Sequence, residues 1–123
     1  MEDFATYEIA VKLKEKGYPQ RYYGKYSMTG ACYFNDGRFY EDGCIANVED
    51  CCTAPTISQA LKWLREDKGL HIEIQHIFYE ETLWDFEVVH IGSYDRWWNN
   101  SVSLDSYEQA ALAGIEYVLD NLI

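Results

Sequence analysis

Four cysteines and three histidines are the residues of this chain best suited to chemistry, and metal binding is the first chemistry to test. Cys44, Cys51 and Cys52 fall close together. Structural zinc calls for thiolates at C-x-x-C spacing that converge on one ion. No such pair is present, and the adjacent side chains of Cys51 and Cys52 project in different directions. His71 and His76 stand five apart on a predicted strand, which places them on opposite faces. Buried or half-buried free thiols are the simpler expectation, so no metal ligand is assigned.

Covalent and acid–base catalysis have no better footing. The chain lacks a G-x-S-x-G elbow. Cys51 or Cys52 can be paired on paper with His71, His76 or His90, but that many cysteines and histidines allow such pairings in any protein. His76 and His90 lie on the apolar-rich faces of their predicted strands and would matter if they met across a hairpin. Histidines at the edge of a core explain them more simply. With 21 carboxylates, no pair stands out as a general acid and base. Phosphate-cradling G-x-G-x-x-G and G-x-x-x-x-G-K-[ST] loops are absent. No catalytic residue and no cofactor is assigned, and the balance leans against an enzyme.

The elements that would position any site are easier to read. Thr56 and Gln59 have capping-box spacing, and Pro55 stands just before them. Ile57, Ala60, Leu61 and Leu64 then make one apolar stripe, and Lys68-Gly69 supplies a cation and a glycine at the helix end. The period changes at Leu70. Leu70, Ile72, Ile74, His76 and Phe78 share one face of a strand, while His71, Glu73 and Gln75 share the other. Glu80-Glu81 reads as a turn. Thr82, Trp84, Phe86 and Val88 then alternate with Leu83, Asp85, Glu87 and Val89, which completes an antiparallel hairpin.

Before this unit, Asp3 to Lys16 predicts a helix with Asp3 as its cap and Lys16-Gly17 as its stop. Asp36-Gly37 between aromatic runs predicts a tight turn joining strands near 29–34 and 38–41, because such a turn needs positive φ. Glu41 to Asp50 reads as a loop leading to Cys51-Cys52. After the unit, Gly92 to Val102 reads as a polar connection. Ser106 and Gln109 repeat the capping spacing and open a last helix, with Ala111, Leu112, Ile115, Leu119 and Leu122 as its buried stripe. The order helix, hairpin, helix, hairpin, helix predicts one α+β domain over 1–123, a mostly antiparallel sheet with its helices on one side.

Aromatic residues supply the remaining candidates. Tyr94, Trp97 and Trp98 on the polar connection form a candidate interaction surface, since tryptophan pairs are frequent binding anchors. The competing explanation is that they clasp the connection onto the core. Tyr33 and Tyr40, together with His76, Trp84 and His90, are the candidate lining of a pocket between the Tyr-rich strands and the second hairpin.

The chain of 123 residues carries a formal net charge of −11, with 48% apolar and 16% aromatic residues. That composition predicts a folded globule. The charge argues against gripping a phosphate backbone, which needs a basic face. An acidic surface that mimics nucleic acid is the sharper alternative to plain solubility. No basic start followed by an apolar run opens the chain, and no apolar run approaches membrane-spanning length, so a cytoplasmic location is expected.

Ala54-Pro55-Thr56, Gln59, Lys62-Trp63-Leu64-Arg65-Glu66 and the strand Leu70-His71-Ile72-Glu73-Ile74 resemble a family of small uncharacterised proteins of gut Bacteroidetes and their phages and mobile elements. Ser106-Tyr107-Glu108-Gln109-Ala110 with the helix that follows is similar to the end of that family. The likeness covers the C-terminal two-thirds; the Cys51-Cys52 pair and the tyrosines from Tyr18 to Tyr40 lie outside it. The family has no established activity, so the resemblance transfers no site residue. It implies an accessory protein of a bacterial or phage cytoplasm. Taken together, the leading expectation is a non-enzymatic protein that binds a partner protein of unknown identity through an acidic and aromatic surface. The alternatives are a small-ligand binder or minor enzyme using the pocket, and self-association, as a homodimer, through a hairpin edge.

Overall fold

The computed structural model describes residues 3–19, 31–40, 51–76, 84–93, 95–98, 104 and 106–123. They form an α+β arrangement in the expected order, with two antiparallel sheets. Contacts within the chain group into two compact units, Met1–Thr56 and Ile57–Ile123.

The N-terminal unit begins with an extended stretch rather than a helix. Phe4 forms a bridge with Thr56, and the Ala5 N–H donates to Pro55 O at 2.8 Å. Thr6, not Asp3, caps α1 (Tyr7–Glu15): its hydroxyl accepts from the Ile9 N–H. The bridge holds Phe4 in an extended stretch, so the cap falls three residues beyond the predicted one. Ile9, Ala10 and Leu13 bury the inner side of α1.

The Asp-Gly turn is where the sequence places it. Gly37 takes φ 88°, and the Asp36 carboxylate accepts from the Arg38 N–H at 3.0 Å. The turn joins β1 (Cys32–Phe34) to β2 (Phe39–Tyr40). A third strand, β3 (Cys51–Thr53), pairs with the other side of β1, giving the order β2-β1-β3. Residues 51–53 are therefore strand, and the hairpin becomes a three-stranded sheet. The expected strand at 29–30 and the loop over 41–50 lie outside the described residues.

In the C-terminal unit, α2 (Ile57–Asp67) buries Ile57, Ala60 and Leu64. Gly69 at φ 69° closes it in the left-handed conformation foreseen for that position. β4 (Leu70–His76) and β5 (Trp84–His90) pair over seven residues each, from Leu70↔His90 to His76↔Trp84. β6 (Arg96–Trp98) pairs with β5, so the order is β4-β5-β6 and the tryptophans sit on a strand rather than a loop. Residues opposite one another share a face. Leu70, Ile72, Phe86 and Val88 are the buried members of one face, and α2 and α3 (Tyr107–Asn121) pack on it.

The buried side of α3 comprises Ala110, Ala111, Gly114, Ile115, Val118 and Leu119. It is rotated from the predicted stripe, leaving Leu112 and Leu122 half-buried. Gly114 explains the rotation. A Cβ there would lie 2.8 Å from Ile72 Cγ2 and 3.3 Å from the Phe86 ring, so the helix backbone itself rests on the sheet. Small residues beside it let α3 approach closely.

Candidate functional site

The face of β4-β5-β6 opposite the helices carries the polar residues. It bears His71, Glu73 and Gln75 from β4, Asp85, Glu87 and Val89 from β5, and Arg96 from β6. Strict alternation on the two long strands puts them there, since every residue between two core positions must point away from the helices. Glu73, Gln75 and Arg96 are exposed; His71, Asp85 and Val89 are half-buried.

Glu87 is the exception on this face, only 2% exposed despite its charge. It lies in the central strand, where neighbours shield it from both sides. A buried carboxylate is costly unless paired and hydrogen-bonded. Arg96 Nη1 meets Glu87 Oε1 at 2.5 Å, and Gln75 Nε2 donates to Oε2 at 3.1 Å. Glu73 is directly opposite Glu87, a like-charge placement that would repel on its own. Arg96 relieves it. The hydrogen bond to Glu87, then that carboxylate's charge, hold the guanidinium above its ordinary value, and Glu73 adds to the effect. The network spans all three strands. The alternation of Glu73, Gln75, Asp85 and Glu87 was visible in the sequence; Arg96 was read as part of a connection, so its partner was missed.

A serine, a histidine and an aspartate do come together at the β5–β6 turn. Ser93 Oγ lies 3.0 Å from His90 Nδ1 and donates to Asp95 Oδ2 at 2.9 Å, while the Ser93 N–H donates to the same Nδ1 at 3.1 Å. An acyl-transfer triad needs the imidazole between the hydroxyl and the carboxylate. Here the hydroxyl is in the middle, and a backbone N–H already occupies Nδ1. The arrangement closes a turn that is also fixed by His90 N–H to Asp95 O at 2.8 Å.

The predicted pocket residues divide between the two units, and those of the C-terminal unit do not come together. Tyr33 belongs to the N-terminal unit, where its hydroxyl donates to Ala5 O at 2.8 Å and its ring meets Tyr7 and Phe39 at 5.5 and 5.1 Å. Burial, and then the neighbouring Cys52, push its phenol above the ordinary value. Tyr40 pairs with Cys32 through the backbone, and its side chain lies outside the described part of the structure. In the other unit, Trp84 is opposite His76 and stacks edge-on against Tyr107 at 5.8 Å. His90 is opposite Leu70, at the far end of the hairpin, about 20 Å from Trp84 at strand rise. His76 and His90 therefore do not meet across it, because the register sets them at opposite ends.

Of the candidate interaction residues, Trp97 is half-buried opposite Val88, on the helix-covered side of the sheet. Trp98 pairs with Glu87 through the backbone; its side chain, and all of Tyr94, lie outside the described residues. Cys32, Cys51 and Cys52 are buried thiols not joined in a disulfide, and Cys44 lies outside the described residues. Cys51 shares a small cluster with Cys32 and Phe34, whereas Cys52 stands opposite Tyr33, so the adjacent pair does project to different faces. Among the described residues, no cluster of three potential ligands could hold a metal, and no helix is long and apolar enough to cross a membrane. No protein-family model, curated protein or solved structure matches the chain.

Proposed function

We propose that this is a non-enzymatic interaction protein, an accessory protein of a bacterial or phage cytoplasm, whose partner protein docks on the polar face of the β4-β5-β6 sheet. One observation carries the reading. The face opposite the helices presents Glu73 and Asp85 around a buried Glu87 that Arg96 and Gln75 hold in place. Carboxylates grouped on one sheet face favour a basic partner, because electrostatic complementarity sets partner choice and encounter rate. The net charge of −11 selects a partner with a basic surface. The resemblance to small phage and Bacteroidetes proteins supports the accessory role. Trp97 is half-buried on the helix-covered side, so its removal tests packing rather than binding at this face.

The test compares tagged wild type with Glu73→Gln/Asp85→Asn in pull-downs from bacterial lysate at low salt. A partner retained by wild type, eluted by raised salt and reduced at least tenfold by the folded variant is the expected result. Equal capture by both would exclude this face as the docking surface. The pocket alternative finds less support, since Trp84 and His90 stand at opposite ends of one hairpin.

A further inference from the structure

Among the described residues β4 is an edge strand. The other edge strands, β2, β3 and β6, show two, three and three described residues, shorter templates than β4. β4 has seven, Leu70 to His76, paired on one side only among the described residues and without a break in register. It contains no proline, no lysine and no bulge, and Glu73 is its one carboxylate. On a paired strand, alternate residues aim N–H and C=O outward. Beside that outer edge lies a groove of about 380 Å³ lined by His71, Ile72, Glu73, Ile74, Gln75 and Tyr107. Tyr107 is 43% exposed, and its ring is steadied edge-on by Trp84.

We propose that the outer edge of β4 and its groove dock an extended segment of a partner protein, which adds to the sheet as a fourth strand with alternating apolar and basic side chains. The alternation follows from the two sides of the edge. One side offers Ile72, Ile74 and Tyr107, which suit apolar side chains. The other offers exposed Glu73 between His71 and Gln75, with Asp85 opposite Gln75 on the next strand, which suits lysine or arginine. Main-chain pairing supplies the affinity and these two sides supply the choice of sequence. A second copy of this chain fits less well. Two-fold pairing centred on Glu73 sets that carboxylate against itself, and association doubles a net charge that is already −11.

This inference rests on the interaction reading above and names where and how the partner docks. The probe is a blocked seven-residue peptide of alternating valine and lysine, titrated into the whole chain and followed by amide NMR and calorimetry. Binding should perturb the amides of residues 70–76. It should weaken at least tenfold when alternate peptide nitrogens are methylated, and at least tenfold in Glu73→Lys. Glu66→Lys, the same charge change at an exposed position on α2, should bind as wild type does. Perturbations away from β4, indifference to methylation, or equal loss in both variants would overturn the proposal. So would light scattering that shows a dimer whose β4 amides are protected without peptide. Partner capture with no peptide binding at β4 leaves the interaction reading standing and removes this one. Peptide addition at β4 with no partner captured does the reverse.

Discussion

Single side chains decide how the polar parts of this protein are held. Glu87 is neutralised by a guanidinium whose own side chain is 52% exposed, so one partner is buried and the other half in water. Breaking a buried pair usually harms more than replacing the whole pair with apolar groups. Arg96→Met should therefore lower the urea midpoint, and Glu87→Leu/Arg96→Met should recover roughly half of the loss or more. A midpoint unchanged in the single variant would mean that Arg96 does not neutralise Glu87. Asp36 offers a pH readout. The Arg38 backbone N–H, with the Arg38 charge, holds its carboxyl below the ordinary value. A depressed folded pKa means the contribution is present above the unfolded value, about 3.9, and lost as pH falls through the folded one. The Arg38 amide resonance should titrate with a midpoint below that of a free aspartate, and Asp36→Asn should abolish the titration.

At the scale of elements, close approach of α3 to the sheet is the main constraint. Gly114→Ala forces a methyl against Ile72 and Phe86, both buried, and should cost about 1–3 kcal/mol in chemical denaturation despite alanine's better helix propensity. A neutral or stabilising result would show that the core yields there. The long elements were legible because their signals are redundant. α2 has an apolar stripe and a glycine stop, and β4 and β5 have strict alternation over seven residues each. β3 and β6 were not legible. Three residues are too few to display a period, and such strands exist because a neighbour offers its edge. Among the described residues Cys51–Thr53 pairs with β1 alone, and Arg96–Trp98 with β5 alone. The site suffered the same way: its carboxylates and Gln75 were visible as a polar face, while their cation lay on a strand that local sequence does not announce. The α1 cap moved for a related reason, since Phe4 is committed to a bridge with Thr56.

For the whole molecule, 21 acidic against 10 basic residues set the terms of any association. Partners with basic surfaces are drawn in and copies of the same chain are pushed apart, both more strongly at low ionic strength. Raised salt should therefore weaken partner capture, while any self-association should strengthen. The two compact units divide the labour in composition as well. The N-terminal unit holds the buried thiols and the Tyr7–Tyr33–Phe39 contacts, and the C-terminal unit holds the polar sheet face.

Ile72 belongs to two structures at once. Its side chain is the one that a Cβ at position 114 would strike, and its backbone is part of the outermost strand. Bulk added at 114 is therefore accommodated best where 72 gives some up. A side chain at 114 is tolerable where 72 has lost bulk, and any lineage making that exchange alters the rim of the sheet as it repairs the interior. What looks like a private matter of packing under α3 would then be written on the outside of the protein.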